Sequence, residues 1–305
     1  MSHLCRTLAL ATAMFLIGHS PIMAAPFTLK PGDVYGVIQG GIREYDPSLN
    51  VVASLVLPAT TVTEGAAFTP QGHLVFSAFQ NGTHHVIEVG ANGEILHNRD
   101  LGIGSLDRAA HVDVDSTGRI YVAATPNVIE LPPDFSSQRV LPFSFTRSSG
   151  VAIGPGDKLY VTDQAANRLT VFDTARNATA TFANFGAVPT GLDFDATGRL
   201  FTTLFTSREF DRVDPGTGQR TTLLSNLAGA SDVEFAPDGS YYLSIETGGV
   251  LQHRSASNAL LTEIGTGFVT DSIAVMPLPL PNGAAVGLAT ALLPLAMRIV
   301  RRKGK

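Results

Sequence analysis

Between residues 25 and 276, apolar and polar residues alternate in short runs closed by Gly, Pro, Asn or Asp, the pattern of short half-buried strands. Five segments repeat one form, an apolar strand, a turn and a second apolar strand. They read GAAFTPQGHLVFS from Gly65, HVDVDSTGRIYVA from His111, GVAIGPGDKLYVTD from Gly150, GLDFDATGRLFTT from Gly191 and DVEFAPDGSYYLS from Asp232. Their turns, at Gly72, Gly118, Asp157, Gly198 and Gly239, are spaced 46, 39, 41 and 41 residues apart. Self-similarity at this period marks a repeat architecture. A sixth turn at Gly32 lacks the strand before it, and residues 271–275 match a first strand that lacks the strand after it. Each period also holds two further strand candidates, clearest at 168–173 and 178–182. Four short strands per period predict one propeller blade, and the two half-blades complete each other. The chain is therefore expected to be all-β: a six-bladed β-propeller over residues 25–276, closed by N- and C-terminal strands that share one blade.

Within each first strand, the positions six and four before the turn are apolar, as in Val112 and Val114 or Leu192 and Phe194. They are expected to pack between blades. The alternate positions, seven and five before the turn, face the other way. They are small or polar, and the innermost strands of a propeller surround its channel. His111, Asp113, Asp193, Asp232 and Glu234 are thereby brought toward one place. Four carboxylates and an imidazole suit calcium or another divalent cation bound through oxygen. The same residues have a structural use, because polar groups in a narrow channel bond neighbouring backbone N–H groups. The sequence leaves both uses open.

The segment YVTDQAANRLTVFD, from Tyr160 to Asp173, resembles the NHL repeat in its Asp163, Asn167 and Arg168. That wording is degraded in blade five, at Ser207-Arg208-Glu209-Phe210, and in blade six, at Glu246-Thr247-Gly248-Gly249. The absence of Trp excludes WD repeats. At the level of a six-bladed fold the chain also resembles the calcium-dependent lactonases of the gluconolactonase family. Their ligand motifs have no residue-by-residue counterpart here. The resemblance implies an alternative function, an extracytoplasmic divalent-metal-dependent hydrolase or lactonase with its site in the channel.

Charged residues make up only 15% of the chain, because both ends are apolar. Six of the 21 basic residues lie in those ends and all 26 acids lie between them, leaving the body near −11. Such a surface repels phosphate backbones and disfavours nucleic acid as a partner. Residues 1–24 carry Arg6, an apolar stretch at 8–17 and small residues at Ala24-Ala25, the layout of a secretory signal peptide. Cys5, the single cysteine, would leave with it, so disulfides cannot hold the mature body together. Residues 277–305 continue the Met276-Pro277-Leu278-Pro279 motif into an apolar stretch at 284–297 and a basic tail from Arg298 to Lys305. This order resembles the PEP-CTERM sorting signal of exosortase-processed bacterial proteins, although the motif reads MPLP and Pro294 interrupts the apolar stretch. The resemblance implies a sorting or processing protease at the membrane as a partner. The other reading is an ordinary membrane anchor with the body outside and the basic tail cytoplasmic.

No His-Glu-x-x-His, Gly-x-Ser-x-Gly or phosphate-loop motif is present. The expectation is an exported, surface-sorted or membrane-tethered propeller with a monomeric body. It would act as a non-catalytic module for a protein or glycan ligand or for the envelope matrix.

Overall fold

The computed structural model describes residues 26–278 apart from 59, 105–108, 175–177, 186 and 268–269. The signal-like segment and the apolar and basic tail lie outside the described residues. The body is six antiparallel sheets of four strands. Their innermost strands touch in a closed cycle, each first strand against that of the next blade, until Ile273–Val275 meets Val62–Phe68. This is the expected six-bladed propeller.

Blade four shows the plan, with Ser148–Gly154 at the channel, then Lys158–Asp163, Arg168–Asp173 and Ala178–Asn184 outward. Blade one is closed as expected. Ile273–Val275 is its innermost strand and pairs with Val34–Ile38, in the register Val34 to Val275 and Gly36 to Ile273. In blade three the outermost strand is only Arg139–Val140. Pro132-Pro133 follows the third strand there, and proline has no N–H to extend a ladder.

The turns at the lower end of the channel follow from their residues. In blade three, Asp115 Oδ1 accepts from the backbone N–H of Thr117 and Arg119 at 2.8 and 3.0 Å. Asp195 does the same in blade five with Thr197 and Arg199, at 3.0 and 2.9 Å. An aspartate in this place closes the chain on itself before the next strand begins. Gly118 and Gly198 then take φ of +85° and +77°, which a side chain would strain.

Six apolar clusters hold the ring, one at each blade interface. Ala66, Val112, Val151, Leu192, Val233 and Ile273 are all buried, as their position six before the turn predicts. Between blades five and six, Phe201, Phe210, Phe235 and Tyr241 pack with ring centroids 4.6–5.6 Å apart. Buried apolar side chains of this size contribute about 1.5–3 kcal/mol each, which lets the core stand without disulfides.

The glycines seven before the turn owe their smallness to the next blade. A Cβ on Gly150 would run into the carbonyl oxygen of Thr190, and one on Gly191 into Cα of Asp232. These glycines admit the backbone of the next blade rather than widen the channel. Gly150→Ala is therefore expected to lower stability by about 2 kcal/mol through overpacking. Gly156→Ala, at φ +75° with open space around it, should cost only about 1 kcal/mol. Urea unfolding of the two variants checks the order.

Candidate functional site

Two chambers lie along the channel. The lower one, about 130 Å³, is lined by His111, Asp113, Asp193, Asp232 and Glu234, so the structure brings all five predicted site residues together. Pro277 lines the same chamber, which places the C-terminal end of the described residues at this lower end.

Each carboxylate ties its own strand to the next blade. Asp113 accepts from Val114 N–H at 2.7 Å and from Ile153 N–H of blade four at 2.6 Å. Asp193 accepts from Phe194 N–H at 2.6 Å and from Phe235 N–H of blade six at 2.9 Å. Asp232 accepts from Val233 N–H at 2.9 Å, and from Ile273 N–H and the Ser272 hydroxyl of blade one at 3.0 and 2.7 Å. Glu234 Oε1 takes a longer bond of 3.3 Å from Val275 N–H. His111 stands in blade three and Asp232 in blade six, on opposite sides of the ring, yet His111 Nδ1 lies 3.5 Å from Asp232 Oδ1. His111 lines both chambers, and Asp232 lines the lower one.

Enclosing several carboxylates makes their charged forms costly. Burial pushes the Asp113 carboxyl up to about 6 against the two backbone bonds that favour its ionised form. Asp193 and Glu234 are driven well above the usual carboxylate range, by burial first and then by neighbouring acids. Asp232 is raised by burial and held back chiefly by His111 and Ser272. A calcium ion asks for six to eight oxygen ligands. Both oxygens of Asp113, Asp193 and Asp232 already hold backbone N–H groups. Among the described residues no three of His, Cys, Asp and Glu are grouped so as to hold a metal ion. The donor set therefore fits a calcium ion poorly.

The upper chamber, about 260 Å³, opens at the other end. Its walls come from two positions of the repeat. Eight residues before the turn stand Ser149, Thr190, Ser231 and Asp271, and seven after it stand Gln164, Phe205 and Glu246. Arg147 and Thr206 add to the rim. The loops carrying these residues are tied by one recurring backbone bond. Gln164 N–H donates to Arg147 C=O at 2.8 Å, Phe205 N–H to Val188 C=O at 2.9 Å and Glu246 N–H to Gly229 C=O at 2.8 Å.

Blade four, where the NHL-like wording is best formed, adds a second tie. Buried Asp163 accepts from the N–H groups of Thr146, Arg147 and Ala166 at 2.9, 3.0 and 3.2 Å, and from Arg168 Nη2 at 3.2 Å. Asn167 takes the left-handed φ of +52° beside it. These three residues thus bracket a turn, and by doing so fix the loop that carries Arg147. Sequence reasoning passed over Arg147, Gln164, Phe205, Glu246 and Asp271. The available signal was positional, since the repeat places them at equivalent points while their chemistry changes from blade to blade.

No protein-family model and no curated protein matches the sequence. Solved structures do match the fold. A chain from a nidogen/laminin complex is similar with a TM-score of 0.69 at 15% identity, over 80% of this chain and 98% of that one. A protein of unknown function from Bacteroides caccae gives 0.64 at 13%, over 80% and 98%. Virginiamycin B lyase from Staphylococcus aureus gives 0.58 at 12%, over 84% and 88%. At these identities the likeness establishes the propeller fold.

Proposed function

We propose that this chain is an exported propeller, sorted to the cell surface or tethered at the membrane, whose channel mouth serves as a non-catalytic binding face. One observation carries the reading. The acidic residues that would have to do chemistry in the channel are bonded to backbone N–H groups across blade boundaries, which is the work of structural staples. The position of the last described residues is consistent with it. Pro277 lines the lower chamber and the apolar segment at 284–297 follows it in the sequence, so a tether through that segment would turn the mouth away from the membrane. The fold is neutral on this point, because it is shared with a chain of a laminin complex and with an antibiotic lyase.

The competing reading is a divalent-metal-dependent lactonase using His111, Asp113, Asp193, Asp232 and Glu234. Metal analysis of the purified protein, paired with lactone hydrolysis in added calcium or manganese, separates the two. The expected result is no stoichiometric ion and no turnover. A bound ion together with turnover that Asp193→Asn abolishes would overturn the binding reading.

A further inference from the structure

We infer that the upper chamber is a binding site for one neutral sugar ring, such as the terminal residue of a glycan; this names the ligand class of the binding face and rests on that reading. The chamber is a cup of about 260 Å³ with His111 in its lining, room for one ring and not for an extended chain. Its wall chemistry matches a polyol. Sugar hydroxyls both donate and accept, and the lining combines the carboxylates of Glu246 and Asp271 and the Arg147 guanidinium with an amide at Gln164 that does both. The Gln164 amide is held in place by its bond from Nε2 to the Ser149 hydroxyl, at 2.9 Å.

Phe205 supplies a phenyl ring to the lining, an apolar surface for the C–H face of a pyranose. Other ligand classes fit less well. A phosphate or sulfate would meet a lining with two carboxylates against one guanidinium, and a flat apolar molecule would leave a mostly polar wall without partners. The cup is also preorganised, because the recurring backbone bonds behind Gln164, Phe205 and Glu246 fix the loops before any ligand arrives. Little ordering cost then remains to be met on binding. The variation of residue type at equivalent repeat positions agrees with a use beyond folding, since the ring closes equally well with Gln, Phe or Glu at that point.

Saturation-transfer NMR on the full chain, held in a detergent without a sugar headgroup, tests the assignment with glucose, galactose, mannose, N-acetylglucosamine and glucose 6-phosphate. At least one neutral sugar should receive saturation, and glucose 6-phosphate should not. Phe205→Ala and Gln164→Ala should each weaken binding by about tenfold or more while the unfolding midpoint stays within that of a surface change. Gln164→Ala guards against a packing effect at Phe205. The proposal is overturned if none of the four neutral sugars binds, or if binding persists unchanged in both variants. Silence in this assay and in the lactone assay removes the sugar site alone, whereas lactone turnover removes the binding reading on which it rests.

Discussion

Removing residues 271–275 is expected to abolish cooperative folding of the body. Those residues carry the innermost strand of blade one, and Ile273, Ala274 and Val275 are at most 5% exposed. Their loss strips the apolar cover from both neighbouring interfaces, because Ile273 and Val275 pack toward blade six while Ala274 packs toward blade two. It also takes away Ser272 and the N–H groups of Ile273 and Val275, so that Asp232 and Glu234 lose their partners in blade one. Two buried aliphatic side chains contribute about 3–6 kcal/mol, and an uncompensated buried carboxylate costs several more. A domain with a total stability of about 5–15 kcal/mol does not survive that sum intact. The strand Val34–Ile38 would in addition become a bare edge open to other chains. Thermal unfolding and size-exclusion chromatography of the truncated protein should show loss of the sharp transition and soluble aggregates. A truncated protein that melts at the temperature of the intact one would mean that the ring is not closed by this strand.

Stability should rise by about 1 kcal/mol or more as the pH falls from 8 to 5, opposite to the behaviour of a protein held by surface ion pairs. The cause is the lower chamber. The Asp113 carboxyl, raised to about 6, binds its proton more tightly in the folded chain than in the unfolded one. Asp193, Asp232 and Glu234 are raised in the same sense. A raised native value makes the contribution complete below the unfolded carboxylate range near 4, and it is lost as the pH climbs through the native value. His253, lowered by burial, opposes the gain as the pH falls through the ordinary imidazole range, and Asp46, Asp163, Asp195 and Asp238, lowered by hydrogen bonds, lose their contribution only below the ordinary carboxylate range. The maximum should therefore fall between about pH 4 and 6. Glu234→Gln keeps the side-chain shape and removes one of the crowded charges, so it should stabilise the protein at pH 8 and change it little at pH 5. Urea unfolding across this pH range is the measurement, and a stability profile flat from 5 to 8 in the parent protein would refute the account.

The channel acids illustrate how far a sequence can be read. Alternation in strands such as His111-Val112-Asp113-Val114 says which residues leave the core, and the repeat period says that they meet. It does not say what they meet. The partners of Asp113 and Asp193 are backbone N–H groups 40 and 42 residues away, at Ile153 and Phe235, and the backbone carries no residue-specific signal. The same limit hid the reason for Gly150 and Gly191. Their smallness is visible in the sequence, but the oxygen of Thr190 and the Cα of Asp232 that enforce it belong to the next blade.

By itself the sequence determined the strand and turn pattern, the six-fold period, the shared closing blade and the interface core. All of these rest on local chemistry: period-two alternation, turn residues and repetition at fixed distance. Only the tertiary structure decided that His111 meets Asp232 across the ring, that the acids serve as staples between blades, and that Arg147, Gln164, Phe205, Glu246 and Asp271 share one cup. The reason is physical: a propeller brings equivalent positions of separate blades together around one axis, so contacts at its centre depend on how the blades pack and on no single stretch of chain.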